Sequence, residues 1–364
     1  MKRATALLGS AVMVAATMLA TIPAAANAAP LTHDQKLALV PPAVTAAGLR
    51  DDQLSLWYLD STNTLHVGLT SYTPAEAAAL TRKLGPSTII SQEDMSESAV
   101  GHAPKTSAVA QKLVTPSAAA RTSGPTEGTP GSGGVSGGLT VGPYEPFLTV
   151  PTYPGGVRII RDAGSEIVWC STTSLWGGKM LTAGHCGKNG AAWKQGYYES
   201  DGTISSSGPA GTASKVHWED SNPDVALLSG GNGWDTGIYI SGDKGNVTFV
   251  HVAGAAVSAI GSSICTDGTT TGYICGGKVD IVNGCTSQTE NGKVAHLCGM
   301  DSAYSATKIL VRPGDSGGPV VTPPSGGKVV VAGDISGQED GGHRVWYSNA
   351  TRIKQILGVS VNVG

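Results

Sequence analysis

The sequence predicts an all-β protein whose main domain is preceded by a small α+β segment. Glycine is abundant, with 51 residues in a chain of 364, and charged residues make up only 14% of it. Apolar runs are short and are broken by Gly, Asn, Asp and Ser, which is typical of antiparallel strands joined by turns. This composition argues against a long helical bundle. The formal net charge of −3 gives no reason to expect a nucleic-acid or anionic-membrane partner.

The first 28 residues have the pattern of a secretory signal peptide. Lys2 and Arg3 form a basic start, an apolar Ala-rich run covers about residues 4–22, and small residues lead to a cleavage site after Ala28. A membrane anchor is the alternative, but Thr and Gly interrupt the run, and no later segment is apolar for long enough to span a bilayer. We therefore expect a secreted, extracellular protein with no membrane association once the signal is removed.

Residues 29–113 form a region without cysteine that predicts a small α+β module. Apolar residues at 54–60 and 65–70 suggest two strands around a polar turn. Residues 73–76 (Thr-Pro-Ala-Glu) combine a capping box with Pro at the first helical position, and the Ala-rich run after them ends at Gly85 before a proline. An unrelated accessory domain is the alternative to a pro-segment here.

Residues 114–150 read as a flexible linker, rich in Gly, Ser, Pro and Thr, because such a segment buries too little apolar surface to offset its ordering entropy. We expect cleavage during maturation in this region. The remaining residues, 151–364, predict an antiparallel all-β domain with a helix only at Ala350–Leu357. The clearest strand candidates are Ile167–Cys170, Lys179–Ala183, Val225–Leu228, Thr248–Val252, Val279–Val282, Lys308–Val311, Pro319–Val321 and Val329–Gly333.

Three motifs of this last region carry the chemistry. Thr-Ala-Gly-His-Cys presents His185, Asn-Pro-Asp-Val-Ala-Leu-Leu presents Asp224, and Gly-Asp-Ser-Gly-Gly-Pro presents Ser316. A serine hydroxyl needs a base to take its proton during attack, and an imidazole held by a buried carboxylate suits that task. We therefore predict Ser316 as nucleophile, His185 as general base and acid, and Asp224 as its orienting group. Asp220 is the alternative acid, although only Asp224 directly precedes an apolar strand.

Glycines around the serine predict an oxyanion hole. The backbone N–H groups of Gly314 and Ser316 could receive the negative charge that develops on the attacked carbonyl oxygen.

All six cysteines fall in the C-terminal region, and an even count in a secreted chain suggests disulfides. Neighbouring cysteines would each close a short loop, although the sequence alone permits 15 pairings. No Cys-x-x-Cys occurs, so we expect no zinc site. The residues are Cys170, Cys186, Cys265, Cys275, Cys285 and Cys298.

The three motifs, in the order His, Asp, Ser, resemble those of the chymotrypsin-like serine peptidases, and Cys-Thr-Asp-Gly-Thr-Thr-Thr-Gly-Tyr at 265–273 resembles the bacterial streptogrisin and α-lytic branch. The resemblance covers roughly residues 153–364. It implies two six-stranded antiparallel β-barrels with the active site in the cleft between them, His185 and Asp224 in the first and Ser316 in the second. It also implies a Cys170–Cys186 bridge, and that residues 29–113 are a pro-segment that assists folding and blocks the site.

By the same comparison, Ser336, Gly337 and Gln338 form the strand that pairs with the substrate backbone.

Two departures from the family pattern concern Asp315 and the specificity pocket. Relatives pair the equivalent of Asp315 with an arginine where Thr266 stands here, so Arg312, another arginine or a new N-terminus could pair with it. Leu310 stands where trypsin-like members carry an acid, and Ile335 stands where glutamate-specific members carry a histidine, so we expect a medium or large apolar P1 side chain.

The predicted function is thus a secreted serine endopeptidase, monomeric and without cofactor or metal, acting on polypeptides and inhibited by its own pro-segment. Three other functions remain open, of which one is a mainly structural role with only slow self-cleavage. Gly-x-Ser-x-Gly also occurs in esterases and lipases, but these need an Asp and then a His after the serine, where only the closely spaced Asp334 and His343 are available. A catalytically inactive or weak homologue that acts as an extracellular binding module is the third alternative.

Overall fold

The computed structural model of the chain describes residues 30–104, 139–140, 153–198, 204–219, 221–230, 233–241, 246–290 and 292–364. The predicted signal peptide (1–28) and most of the predicted linker (114–150) lie outside these ranges, so the predicted domain boundaries stay predictions. Residues His33–Gly364 form one compact unit. Of the helices in the described ranges, none is long and apolar enough to cross a membrane.

The described part of the chain is predominantly β-structure, which confirms the predicted all-β class. Its helices are α1 (His33–Ala38), α2 (Val40–Ala46), α3 (Pro74–Leu84) and α4 (Ala350–Leu357). Its strands are β1 (Leu54–Leu59), β2 (Leu65–Leu69), β3 (Ile89–Gln92), β4 (Ser96–Ser98), β5 (Gly101–Pro104), β6 (Leu139–Thr140), β7 (Tyr153–Gly155), β8 (Arg158–Asp162), β9 (Glu166–Ser171), β10 (Leu175–Trp176), β11 (Lys179–Thr182), β12 (Ala192–Tyr198), β13 (Ile204–His217), β14 (Val225–Ser229), β15 (Trp234–Ser241), β16 (Asn246–Ala255), β17 (Ser263–Gly268), β18 (Gly272–Glu290), β19 (Lys293–Tyr304), β20 (Pro319–Val321), β21 (Lys328–Glu339) and β22 (Arg344–Asn349).

The N-terminal module has the two strands and the helix that its sequence predicts. β1 and β2 pair antiparallel, and α3 begins at a capping box in which Thr73 and Glu76 bond each other's backbone N–H. The helix ends at Gly85, whose φ of 110° is unfavourable for other residues. Helices α1 and α2 and strand β3 were not predicted. They pack with β1 around a small core that includes the buried Trp57 and Leu80.

One sheet contains seven successive strands of the C-terminal region, β8 to β14. Its order is β10-β11-β14-β13-β12-β8-β9-β5, and neighbouring strands in it pair antiparallel. The last strand, β5, comes from the N-terminal part of the chain and adds to the edge at β9. Met180, Trp193 and Leu228 are fully or almost fully buried in the core of this sheet.

The second sheet has fourteen strands because β1, β2, β3 and β4 extend it. Its main path runs β3-β2-β1-β18-β17-β20-β21-β16-β15-β7, with β19, β22, β4 and β6 branching from it. The N-terminal module joins at the hairpin of β18 and β19, where Trp57 pairs with Cys285.

A shared core holds the two sheets against each other. It combines Leu181 and Val225 of the first sheet with Val331 of the second and Ile353 of helix α4, all of them buried. Helix α4 has the predicted bounds, beginning at the cap residue Asn349 and ending at Gly358 in the left-handed conformation. The cleft between the sheets is therefore formed by elements whose relative positions are fixed by packing.

Seven of the eight predicted strand segments lie in strands, but the prediction for Lys308–Val311 was wrong. This stretch is irregular, and the N–H groups of Leu310 and Val311 both donate to the carbonyl of Gly342. Leu310 and Val311 are fully buried in the cluster of Ile335 without belonging to a strand pair, and an apolar run alone does not distinguish these two environments. The three neighbouring cysteine pairs are joined as disulfides, Cys170–Cys186, Cys265–Cys275 and Cys285–Cys298.

Candidate active site

His185 and Asp224 are brought together by the pairing of two strands in the first sheet. His185 follows β11, and Asp224 directly precedes β14, which pairs antiparallel with β11. The backbone N–H of His185 donates to Asp224 Oδ1 over 2.8 Å, and the ring Nδ1 lies 2.5 Å from Asp224 Oδ2. Both side chains are fully buried. The carboxylate therefore fixes the ring orientation and keeps the proton on Nδ1.

Ser316 reaches the other nitrogen of the same ring from the second sheet. Its Oγ lies 2.7 Å from His185 Nε2, so the neutral imidazole accepts the hydroxyl proton. Gly317, the next residue, has a φ of 79°, and a Cβ there would lie 2.2 Å from Thr182 Oγ1. Only glycine allows the turn to bring Ser316 this close to the first sheet.

Asp224 is held by further hydrogen bonds from the second sheet. The hydroxyl of Ser336 donates to Asp224 Oδ2 over 2.5 Å, and that of Ser348 donates to its carbonyl oxygen over 2.9 Å. Ser336 was predicted to contact substrate, and this additional contact to the acid was not. These two hydrogen bonds hold the side chain and the backbone of Asp224 in place beneath the ring of His185.

The pKa of His185 is raised above its ordinary value. Burial alone lowers it, but the charge of Asp224 and the hydrogen bond to it raise it by more. A second acid, Asp334, is buried behind this pair, and burial, together with the charge of Asp224, raises its pKa well above the usual range.

The two predicted oxyanion donors converge on one carbonyl oxygen, that of Ala99. The N–H groups of Gly314 and Ser316 lie 2.6 Å and 3.1 Å from it. These distances are those expected of donors to a reacting carbonyl oxygen. The Ala99 N–H in turn donates to the carbonyl of Ser336 over 3.1 Å.

Residues 96–104 thus run through the whole cleft in the manner of a bound peptide. On one side of Ala99, Ser98 and Glu97 pair antiparallel with Gly337 and Gln338, the strand predicted to bind the substrate backbone. On the other side, β5 pairs antiparallel with β9 of the first sheet. The resemblance implied that residues 29–113 block the site, but the sequence did not predict which residues enter the cleft, because Ser-Glu-Ser-Ala-Val has no apolar periodicity and each partner lies many residues away.

The side chain of Ala99 lies in an apolar cluster with Leu310, Val311 and Ile335, all of them buried. Leu310 was predicted to line the pocket for the substrate's P1 side chain, and it packs in the same cluster as the methyl group of Ala99. The group held here is only a methyl, smaller than the medium or large side chain that the sequence analysis expects.

Among the described residues, no cationic side chain donates a hydrogen bond to the carboxylate of Asp315. Its carboxylate accepts the N–H groups of Thr270, Thr271 and Arg312 and the hydroxyl of Thr271. Arg312 thus contributes its backbone and not its guanidinium, and the hydroxyl of Thr266 bonds the carbonyl of Leu310 instead. Burial still raises the pKa of Asp315 despite these donors.

His343, the histidine that an esterase or lipase would pair with Ser316, lies elsewhere. His343 Nδ1 contacts the carbonyl of Ser305, and His185, not His343, bonds Ser316. Asp220, the alternative orienting acid, lies outside the described residues.

Cys170 and Cys186 lie near the ring of His185, within the spacing of a metal site, but their sulfur atoms are bonded to each other and cannot act as thiolate ligands.

Comparison with known proteins points in the same direction as the motifs. No family model matches the chain. Streptogrisin-C of Streptomyces griseus is 27% identical over 208 residues, which are 57% of this chain and 40% of that protein. The chain therefore spans well under half the length of this curated relative.

Among solved structures, a Cellulomonas bogoriensis chymotrypsin is 23% identical with a TM-score of 0.42, covering 58% of this chain and 100% of that one. Thermobifida fusca protease A is 19% identical with a TM-score of 0.40 and the same two coverages. The curated relative confirms the predicted resemblance to the chymotrypsin-like serine peptidases of the bacterial streptogrisin branch.

Proposed function

We propose that this chain, a relative of the streptogrisins, is a secreted serine endopeptidase. One observation carries the proposal: Ser316 Oγ lies 2.7 Å from His185 Nε2, while the N–H groups beside the same serine hold a peptide carbonyl oxygen. Nucleophile, base, orienting acid and oxyanion donors thus surround one peptide bond, which is the full set that acyl transfer requires.

The reaction follows from this geometry in two halves. Ser316 Oγ attacks the substrate carbonyl carbon as its proton passes to His185 Nε2, and the oxyanion is stabilised by the N–H groups of Gly314 and Ser316. The C–N bond then breaks, and His185 gives its proton to the leaving amine. Water repeats the sequence on the acyl-enzyme and releases the acid. Asp224 holds the Nδ1 proton of His185 and stabilises the imidazolium in both halves.

The proposal also assigns a role to each segment of the precursor chain. Residues 1–28 would direct secretion, residues 29–113 would be a pro-segment, residues 114–150 a linker cut during maturation, and residues 151–364 a monomeric peptidase domain. Occupation of the cleft by residues 96–104 supports an inhibitory role for the pro-segment, because no other polypeptide can use the oxyanion donors while Ala99 holds them. Three disulfides agree with an extracellular compartment.

The experiment is to replace Ser316 by alanine and measure kcat/KM on a peptide ester and on casein. Ser316→Ala should abolish turnover down to the residual catalysis of binding and the oxyanion hole, about 10³–10⁴ over water. Ser325→Ala, in an exposed hairpin turn, is the matched control and should keep full activity.

Near-normal rates in Ser316→Ala would refute the mechanism. A correctly processed parent protein that binds peptides but hydrolyses none would favour the binding-module alternative.

A further inference from the structure

The two sides of the occupied cleft differ in how they recognise the peptide. On the acyl side, β4 is held by backbone pairing and by an apolar cluster around the methyl group of Ala99. On the leaving-group side, a large aromatic side chain, Trp169 of β9, lies directly over the peptide.

Trp169 leaves no room for a side chain at Gly101. A Cβ on Gly101 would lie 2.1 Å from Trp169 Cε2 and 2.3 Å from its Nε1, well inside any van der Waals contact. Gly101 is not among the glycines with a positive φ, so its backbone conformation is open to other residues. Space, and not backbone conformation, therefore requires glycine at this position.

The indole ring is confined on its other sides. It packs on the buried Ile160 and Ile167, and a Cβ on Gly314 would lie 2.2 Å from its Nε1. The ring thus fills the gap between the peptide and the oxyanion loop. Displacing it would cost the apolar contacts with both isoleucines.

Residues 99–101 fit these constraints. Ala99 occupies the acyl position, Val100 packs in the core cluster that contains Cys170 and Cys186, and Gly101 lies under the ring. The peptide bond whose carbonyl is held by the oxyanion donors is Ala99–Val100.

We propose that Trp169 is a specificity-determining residue that selects glycine at the second position after the cleaved bond, and that Ala99–Val100 is the bond cut first in this chain. The proposal rests on the peptidase function proposed above. Cutting forms an ester between Ser316 Oγ and the Ala99 carbonyl carbon, and the Val100 nitrogen leaves with the proton from His185. Water then releases the Ala99 carboxylate.

The test compares full-length chains by intact mass and N-terminal sequencing after secretion. The parent should yield a fragment that begins Val100-Gly101-His102, and Ser316→Ala should not. Gly101→Leu should slow this cut by about 10- to 100-fold, the range for a misfit side chain in a pocket. Gly254→Leu is the matched control, because a Cβ on Gly254 meets no atom within 4 Å, and this variant should be cut at a rate near that of the parent.

A double variant separates selection from misfolding. Trp169→Ala should restore cutting in Gly101→Leu, because the space for the side chain reappears. The processed parent is then given two synthetic peptides, Glu-Ser-Ala-Val-Gly-His and the same peptide with Leu for Gly. We expect kcat/KM to favour glycine by about 10- to 100-fold, and this ratio should collapse towards one in Trp169→Ala.

The outcomes are distinguishable. Hydrolysis of both peptides at equal rates, or a first cut elsewhere in the chain, overturns this inference and leaves the proposed peptidase intact. No hydrolysis of either peptide and no cut by the parent overturns both.

Discussion

Residues 153–364 and residues 30–104 contribute to the cleft in different ways. The first region supplies the proposed catalytic groups, each buried and each held by hydrogen bonds from neighbouring strands. The second region supplies the peptide that fills the cleft, and its own core is a small cluster around Trp57 that rests on the β18–β19 hairpin. The chemistry is thus separated from the segment that controls access to it. Substitutions of the proposed catalytic groups in the first region should change rates, and those in the small core of the second should change stability and docking.

The largest effect is expected from Asp224→Asn. An amide cannot accept both the backbone N–H and the Nδ1 proton of His185, so the ring loses its productive tautomer. The same change in a chymotrypsin-type peptidase lowers kcat about 10⁴-fold, and a similar loss is expected here in steady-state kinetics on a peptide ester. Asp301→Asn, another buried acid, is the control and should keep the parent kcat. A small loss in Asp224→Asn would transfer the orienting role to another acid.

Trp57→Ala tests the second region. Its ring is fully buried, and its Nε1 donates to the carbonyl of Leu37 over 3.1 Å. Removing a buried tryptophan costs about 3–5 kcal/mol of unfolding free energy. Denaturant unfolding should be measured in the uncleaved Ser316→Ala background, so that both regions remain in one chain. Leu39→Ala, at a half-exposed position of the same module, should cost less than about 0.5 kcal/mol. Equal midpoints for the two variants would contradict the core described here.

The smallest effect concerns the first turn of α3. Thr73→Ala removes the hydroxyl that accepts the Glu76 N–H and should cost about 1 kcal/mol. Thr73→Ser keeps the hydroxyl and serves as the control. A lower denaturant midpoint with an unchanged m-value in Thr73→Ala alone is the expected result. An equal loss in both variants would assign the effect to the lost methyl group and not to the cap.

The sequence predicted elements whose signals are local. The helix at Pro74–Leu84 carries its own cap and stop residues, and the three motifs each place one polar residue beside an apolar strand or a glycine turn. Strand pairing then accounts for the meeting of His185 and Asp224, since both lie at the ends of paired strands.

Features that depend on distant partners were not predicted. Strand β4 is defined by its pairing with β18 and β21, which lie roughly two hundred residues further along the chain. The donors to Asp315 are mostly backbone N–H groups. The amino-acid sequence does not indicate which backbone N–H groups will point at a given carboxylate. The apolar run at Lys308–Val311 was taken for a strand because burial in an irregular segment and burial in a sheet produce the same pattern.

The most direct test of the account is the rate at which an active-site phosphonate labels Ser316 in the processed protein, measured from about pH 5 to pH 8. Only the neutral imidazole of His185 accepts the serine proton, so labelling should fall as the pH falls through the pKa of that ring. Because Asp224 raises this pKa, the loss should begin at a higher pH than for an ordinary histidine. A single adduct on Ser316 with this pH dependence is the predicted result. No adduct, or a labelling rate that does not change with pH, would contradict the proposed triad.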